Sequence, residues 1–246
     1  MGFGVALNMD RLNDYLMSTP TLKTPLIIVN FKAYREGVGE NALRLARVAE
    51  RVAAECDVCV AVAVQPTDIF RVSSETGVPV LAQHIDPVGY GSHTGHILPE
   101  AVREAGAVGT LINHSERRVG LNFIRRAVER AGDVGLTTVV CADVVEMCRR
   151  VAEVGPDMVA IEPPELIGTG IAVSKAKPEV VSGAVEAVKA VNPDVSVLCG
   201  AGITSGEDVE TALRLGAEGV LVASGVVKAG NPYRALLSMA RAIVRI

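Results

Sequence analysis

Eight short apolar runs, each followed by a stretch of helical periodicity, predict a closed (β/α)8 barrel within 246 residues. The runs are Leu26–Asn30, Val58–Val64, Val80–His84, Thr110–Asn113, Thr137–Cys141, Met158–Glu162, Val195–Cys199 and Gly219–Ala223. They lack polar alternation, which marks strands buried on both faces, as parallel strands are. A doubly wound open sheet is the alternative, and the count of eight speaks against it. α/β barrels of roughly this length form one domain.

The intervening helices are expected at Asn41–Ala54, Phe123–Ala131, Asp143–Val154, Glu179–Val191 and Glu207–Leu215. Asp143 and Ser205 have the short polar side chains that cap helix starts, and Gly132, Gly155 and Gly216 read as stops. Residues 1–24 hold no β/α unit. They are expected to form an N-terminal extension, irregular or partly helical around Asp10–Met17, ahead of a barrel domain spanning 25–246.

Composition excludes several classes of function. The longest unbroken apolar run, Val58–Val64, is far too short to span a bilayer. No charged start, apolar core and small-residue cleavage site stand at the N-terminus, so a soluble, cytoplasmic protein is expected. A net charge of −4 with scattered Lys and Arg gives no basic face for nucleic acid. Aromatics are 3% of the chain, too few for stacking on bases. Five cysteines make no disulfide framework. Cys56-x-x-Cys59 has no second pair, and His93-x-x-His96 has no acidic or Cys partner nearby, so neither a metal nor a cofactor is expected. The two cysteines read as small buried hydrophobes, and the two histidines as exposed loop residues.

Barrels carry their chemistry where the strands end. The first strand ends Asn30-Phe31-Lys32, and alternation puts Asn30 and Lys32 on one face with Phe31 toward the helices. The fourth ends Asn113-His114-Ser115-Glu116-Arg117-Arg118. Ser115 reads as a helix cap, whose positive dipole end keeps the His114 ring neutral. The sixth delivers Glu162, followed by Pro163-Pro164, which stop strand and helix alike, and by the pivot Gly168-Thr169-Gly170. This is the layout of a carboxylate base under a closing lid. The seventh and eighth end in Cys199-Gly200-Ala201-Gly202 and Ala223-Ser224-Gly225, loops small enough for backbone N–H groups to wrap an anion. Taken singly, each of these reads as a solvated lysine, a core histidine or a plain turn. Together they form a complete acid/base set over an anion cradle.

These segments carry a resemblance to the triosephosphate isomerases. Asn30-Phe-Lys32 resembles that family's Asn-x-Lys at the first strand, and Thr94-Gly95 its subunit-contact loop. His114-Ser-Glu-Arg-Arg118 resembles its His-Ser-Glu-Arg-Arg segment, and Glu162-Pro with Ile167-Gly-Thr-Gly170 its catalytic Glu and lid. The resemblance runs in order from about Leu26 to the C-terminus and implies a TIM barrel.

It also implies Glu162 as the base, His114 as a neutral electrophile, and Lys32 with Asn30 as ligands to substrate oxygens and phosphate. This pairing of glutamate base and neutral histidine is the family's own standard case of pKa tuning, so it comes from the resemblance and not from spacing. Phosphate is expected on amides near Ile167 and Gly168, at Gly202 and at Ala223-Ser224. Glu116 is expected to order His114 and Lys32. The implied role is interconversion of two triose phosphates in glycolysis and gluconeogenesis.

Departures place the chain nearer the compact archaeal branch: Pro164-Glu165 after Glu162-Pro163, Cys199-Gly200-Ala201-Gly202 in place of Tyr-Gly-Gly-Ser, and Ala223-Ser224 in place of Gly-Gly. Members of that branch are often tetramers, so a homotetramer is expected ahead of a dimer. The loop Gly89–His96 would insert into a neighbouring subunit beside Lys32. Two rivals remain from sequence alone. An aldolase-like barrel would need a Schiff-base lysine in mid-barrel, where the sixth strand offers Glu162. A silent phosphometabolite binder would need no base.

Overall fold

The computed structural model describes residues 21–163, 166, 170 and 172–245. Eight parallel strands close on themselves in chain order: β1 (Leu26–Asn30), β2 (Cys59–Val64), β3 (Val80–Ala82), β4 (Gly109–Ile112), β5 (Thr137–Ala142), β6 (Met158–Ile161), β7 (Ser196–Cys199) and β8 (Gly219–Val222). Pairing of Leu26 with Gly219 and Val29 with Val222 seals the barrel. The predicted closed barrel is thus present.

Among the described residues, ten α-helices cross over between strands or follow the last: α1 (Glu40–Cys56), α2 (Ile69–Glu75), α3 (Pro99–Glu104), α4 (Leu121–Asp133), α5 (Val145–Ala152), α6 (Val173–Ala176), α7 (Pro178–Val191), α8 (Gly206–Arg214), α9 (Ser224–Val227) and α10 (Pro232–Val244). Helix α10 closes the ring by packing on α1 and α8. Among the described residues no helix is long and apolar enough to cross a membrane.

Period-two alternation splits the core in two. Leu26, Ile28, Ala63, Leu81, Leu111, Val139, Ala160, Leu198 and Leu221 fill the barrel interior. Their neighbours Ile27, Val29, Phe31, Ile112, Val140 and Ile161 face the helices. Each strand is therefore buried on both faces, which is why no polar alternation shows in the sequence. Leu22 packs against the interior cluster from below, so the last residues before β1 help close the barrel floor. The helix expected near Asp10–Met17 lies outside the described residues.

Some boundaries differ from expectation, each for a local reason. Ser205 does cap α8, accepting from the Asp208 N–H, while Asp208 completes a capping box. Asp143 does not cap α5, whose N-cap is Val144; its carboxylate instead meets Arg118 at 2.7 Å. Gly132 lies inside α4, and the left-handed stop falls at Gly135, φ 72°. Cys56 and Cys59 are half-buried and both thiols are free; the fully buried cysteines are Cys141, Cys148 and Cys199. His93 and His96 are exposed, with ring centres 5.7 Å apart.

Candidate active site

The alternation that fills the barrel also aims its last inward positions at one opening. Beyond Leu26 and Ile28 comes Asn30, beyond Met158 and Ala160 comes Glu162, and beyond Leu111 the chain turns out through Asn113 to His114. Lys32, His114, Glu162, Gly200, Gly202, Ala223 and Ser224 line one cavity there with Asn30. Tyr34, Ile203 and Thr204 line it too. Two expected ligand positions, Ile167 and Gly168, fall outside the described residues, as does Glu165.

Lys32 is held in an uncommon backbone state, φ 51°, which is left-handed and strained for a residue with a Cβ. Its N–H donates to Asn30 Oδ1 at 3.0 Å. Its carbonyl accepts from the side-chain amides of both Gln65 and Gln83, each at 3.0 Å. Sequence reading missed this glutamine pair. Both follow strand ends, Gln65 after β2 and Gln83 after β3, so the rule that flagged Lys32 would have flagged them. The Lys32 ammonium meets Glu116 Oε1 at 2.9 Å over a side chain only 9% exposed.

His114 is fixed by its own loop. Asn113, φ 61°, donates to the Cys141 carbonyl at 2.8 Å and accepts from the Val119 N–H at 2.9 Å. The Arg117 N–H closes a turn on the His114 carbonyl at 2.7 Å. No helix begins at Ser115; the next starts at Leu121, so a helix dipole is not what keeps this ring neutral. Burial does so first, then the Lys32 charge, and they lower the His114 pKa to about 4. Nδ1 accepts the Glu116 N–H at 3.2 Å, which leaves the neutral ring's proton on Nε2. That nitrogen stands 3.6 Å from Glu162 Oε1.

Glu162 is 3% exposed, and its N–H continues the ladder to the Ala142 carbonyl at 2.7 Å. Burial, more than any neighbour, lifts its carboxyl to about 7; a hydrogen bond from the Cys141 thiol and the Lys32 charge pull the other way. Its Oε2 and the Ser115 hydroxyl are buried without a partner among the described residues. Gly200 is required beside it, since a Cβ there would sit 2.6 Å from Glu162 Cγ.

The opening therefore holds a base poised near neutrality, an uncharged donor beside it, a cation and a rim of small residues. This suits proton transfer next to a carbonyl in an anionic substrate. A family model described as triosephosphate isomerase matches residues 25–242. The chain belongs to the triosephosphate isomerase family.

Archaeal members stand close to it. The triosephosphate isomerase of Methanobacterium bryantii is 55% identical over 217 residues, covering 88% of this chain and 96% of that one. That of Methanosarcina barkeri is 52% identical over 219 residues, 89% and 99% of the two chains. That of Methanocaldococcus jannaschii is 51% identical over 218 residues, 89% and 100%. The expected family and its TIM barrel thus hold.

The raised carboxyl has a stability consequence. The folded protein keeps the Glu162 proton up to about pH 7, whereas the unfolded chain releases it near the ordinary 4.5. Burying the group therefore costs nothing below 4.5, progressively more as pH rises, and its full amount above 7. Glu162→Gln removes the charge and keeps the shape, so at pH 8 it should be more stable than the native chain by up to about 3 kcal/mol. Urea denaturation at pH 8 and pH 5 measures this, and the gap should shrink at the lower pH. A variant less stable than native at pH 8 would contradict it.

Proposed function

We propose that the chain interconverts dihydroxyacetone phosphate and D-glyceraldehyde 3-phosphate, using Glu162 as base and neutral His114 as electrophile. The observation that carries this reading is a buried carboxyl held near pH 7 within 3.6 Å of an imidazole held neutral. A binder would have no use for such a pair. An aldolase-like Schiff base is disfavoured because Lys32 stands at a strand end, paired with Glu116.

The reading implies the following steps. The substrate phosphate rests on backbone N–H groups of Gly202, Ala223 and Ser224, with Ile167 and Gly168 assigned to the same role by family resemblance. Asn30 and Lys32 face the substrate oxygens. Glu162 takes a proton from the hydroxyl-bearing carbon, and the electron pair left behind forms an enediolate. Its oxygen is stabilised by the His114 Nε2–H and the Lys32 ammonium. The hydroxyl proton crosses between the two oxygens by way of His114. Glu162 returns its own proton to the adjacent carbon, so the base ends as it began. No cofactor or metal takes part in this scheme. Cytoplasmic glycolysis and gluconeogenesis are the setting we assign.

We assign a homotetramer, a dimer of dimers, ahead of a dimer. The Gly89–His96 loop is exposed at its tip, with Tyr90 78% exposed. A second cavity beside the first, walled by Lys32, Gln65, His84, Glu116 and Arg117, is where a neighbour's loop would fit. We assign pairing of the dimers to the segments Asp143–Val154 and Glu179–Val191, where Val144 and Val191 are exposed.

A coupled assay for triose phosphate interconversion tests the activity. Glu162→Gln should lower kcat by about 10³-fold or more, as loss of a positioned base does. Lys32→Met should raise KM and lower kcat together, because its charge acts in ground and transition states alike. Unchanged kinetics in either variant would refute its role. Light scattering should return about four times the 25.7 kDa chain mass. A mass of one chain with full activity would refute the shared site.

A further inference from the structure

A loop that grips an anion with backbone N–H groups alone takes its shape from elsewhere. Gly202 has no side chain, and the Gly200–Thr204 segment follows β7 as irregular chain. Its shape is set by Asp208, a carboxylate 4% exposed at the start of α8. Asp208 Oδ2 accepts from the Thr204 N–H at 3.0 Å, the Thr204 hydroxyl at 3.1 Å and the Ser205 N–H at 3.0 Å. This fixes the loop but sets a buried negative charge behind a surface meant for another.

The second oxygen is turned elsewhere. Asp208 Oδ1 meets the Lys175 ammonium, from α6, at 2.9 Å. The capping box is already complete through Oδ2, so helix capping does not account for this contact. Helix α6 is stitched once more to the same loop and once to α8 itself. The Val173 N–H donates to the Ala201 carbonyl at 3.1 Å, and the buried Ser174 hydroxyl to the Asp208 carbonyl at 3.3 Å. Glu207 Oε2 also reaches Lys175, at 2.9 Å, but from a side chain 78% exposed, where water screens it.

We infer that Lys175 and Asp208 are positioning residues for the phosphate of the substrate: Asp208 shapes the Gly200–Thr204 loop, and Lys175 cancels the charge that Asp208 would otherwise turn against a bound phosphate. This rests on reading the cavity as a phosphate-ester site. The pair acts through the loop and touches no reacting atom, so it governs affinity and leaves the proton transfer alone.

Inorganic phosphate is the probe, read both as a competitive inhibitor of the isomerase and by its elevation of the thermal midpoint. Lys175→Met bares the Asp208 charge and should raise KM and the phosphate inhibition constant together by about fivefold, with kcat nearly unchanged. Lys175→Arg should restore both. Adding Asp208→Asn to Lys175→Met should recover phosphate binding, because an asparagine keeps its oxygen toward Thr204 and Ser205 and carries no charge. A purely structural ion pair predicts the reverse, with the double variant worse than the single. Unchanged KM and inhibition constant in Lys175→Met would overturn the inference. So would a double variant that binds phosphate no better than the single, or a native chain that phosphate does not stabilise. Should the native chain lack isomerase activity while phosphate still stabilises it, and Lys175→Met weakens that effect, the inference stands and the isomerase reading falls.

Discussion

The desolvation of one carboxyl group at the mouth of the barrel is the constraint on which the rest of the site depends. Glu162 projects from the end of β6 into a space walled by Gly200, Cys141 and His114, where the charges of Lys32 and Arg118 act on it less strongly than burial does. Burial wins over the attraction of Lys32, and the carboxyl moves to about 7. The same low-polarity surroundings push His114 the other way, to about 4. Loss of water, helped at His114 by the Lys32 charge, thus leaves one carboxyl titrating near neutrality and one imidazole uncharged.

The fold supplies that environment by geometry rather than by special residues. A closed parallel barrel buries each strand on both faces, and alternation sends every second side chain inward. Mostly leucine and alanine, with Ile28, Val139, Cys141 and Met158, fill those positions along the strands, and the last inward positions bear Asn30 and Glu162. The cost is concentrated where the chain must leave the strands. Lys32 and Asn113 both take left-handed backbone, and both are held by amide side chains: Gln65 and Gln83 at the first, Asn113's own amide at the second. A Gly at either position would relax the backbone and loosen the side chains that follow it.

The barrel was readable because continuous apolar runs of strand length, repeated eight times, leave few other architectures. Lys32, His114 and Glu162 were readable because charged residues at the ends of such runs have no packing role. The cause of the neutral histidine was not. Ser115 has the identity of a helix cap, but the Asn113 side chain ties the loop down, and the helix starts six residues later at Leu121. Tertiary hydrogen bonds overrode local propensity there, as they did at Asp143, drawn away to Arg118. Gln65 and Gln83 stand just past strand ends, where the same rule points, but no local pattern records that their partner is the Lys32 carbonyl. The clasp between Lys175 and Asp208 likewise joins residues far apart in sequence.

The chemistry proposed for the barrel mouth turns on the protonation of one side chain in the ligand-free protein, and that is directly measurable. With 13C introduced at the glutamate carboxyl carbon, Glu162 is identified by the resonance missing from Glu162→Gln, and its shift is followed from pH 4 to pH 9. A midpoint near 7 is the predicted result, with the His114 ring remaining neutral through the whole transition. A midpoint near 4.5, the ordinary value, would show that the barrel mouth does not hold this carboxyl away from water, and would contradict the account at its root.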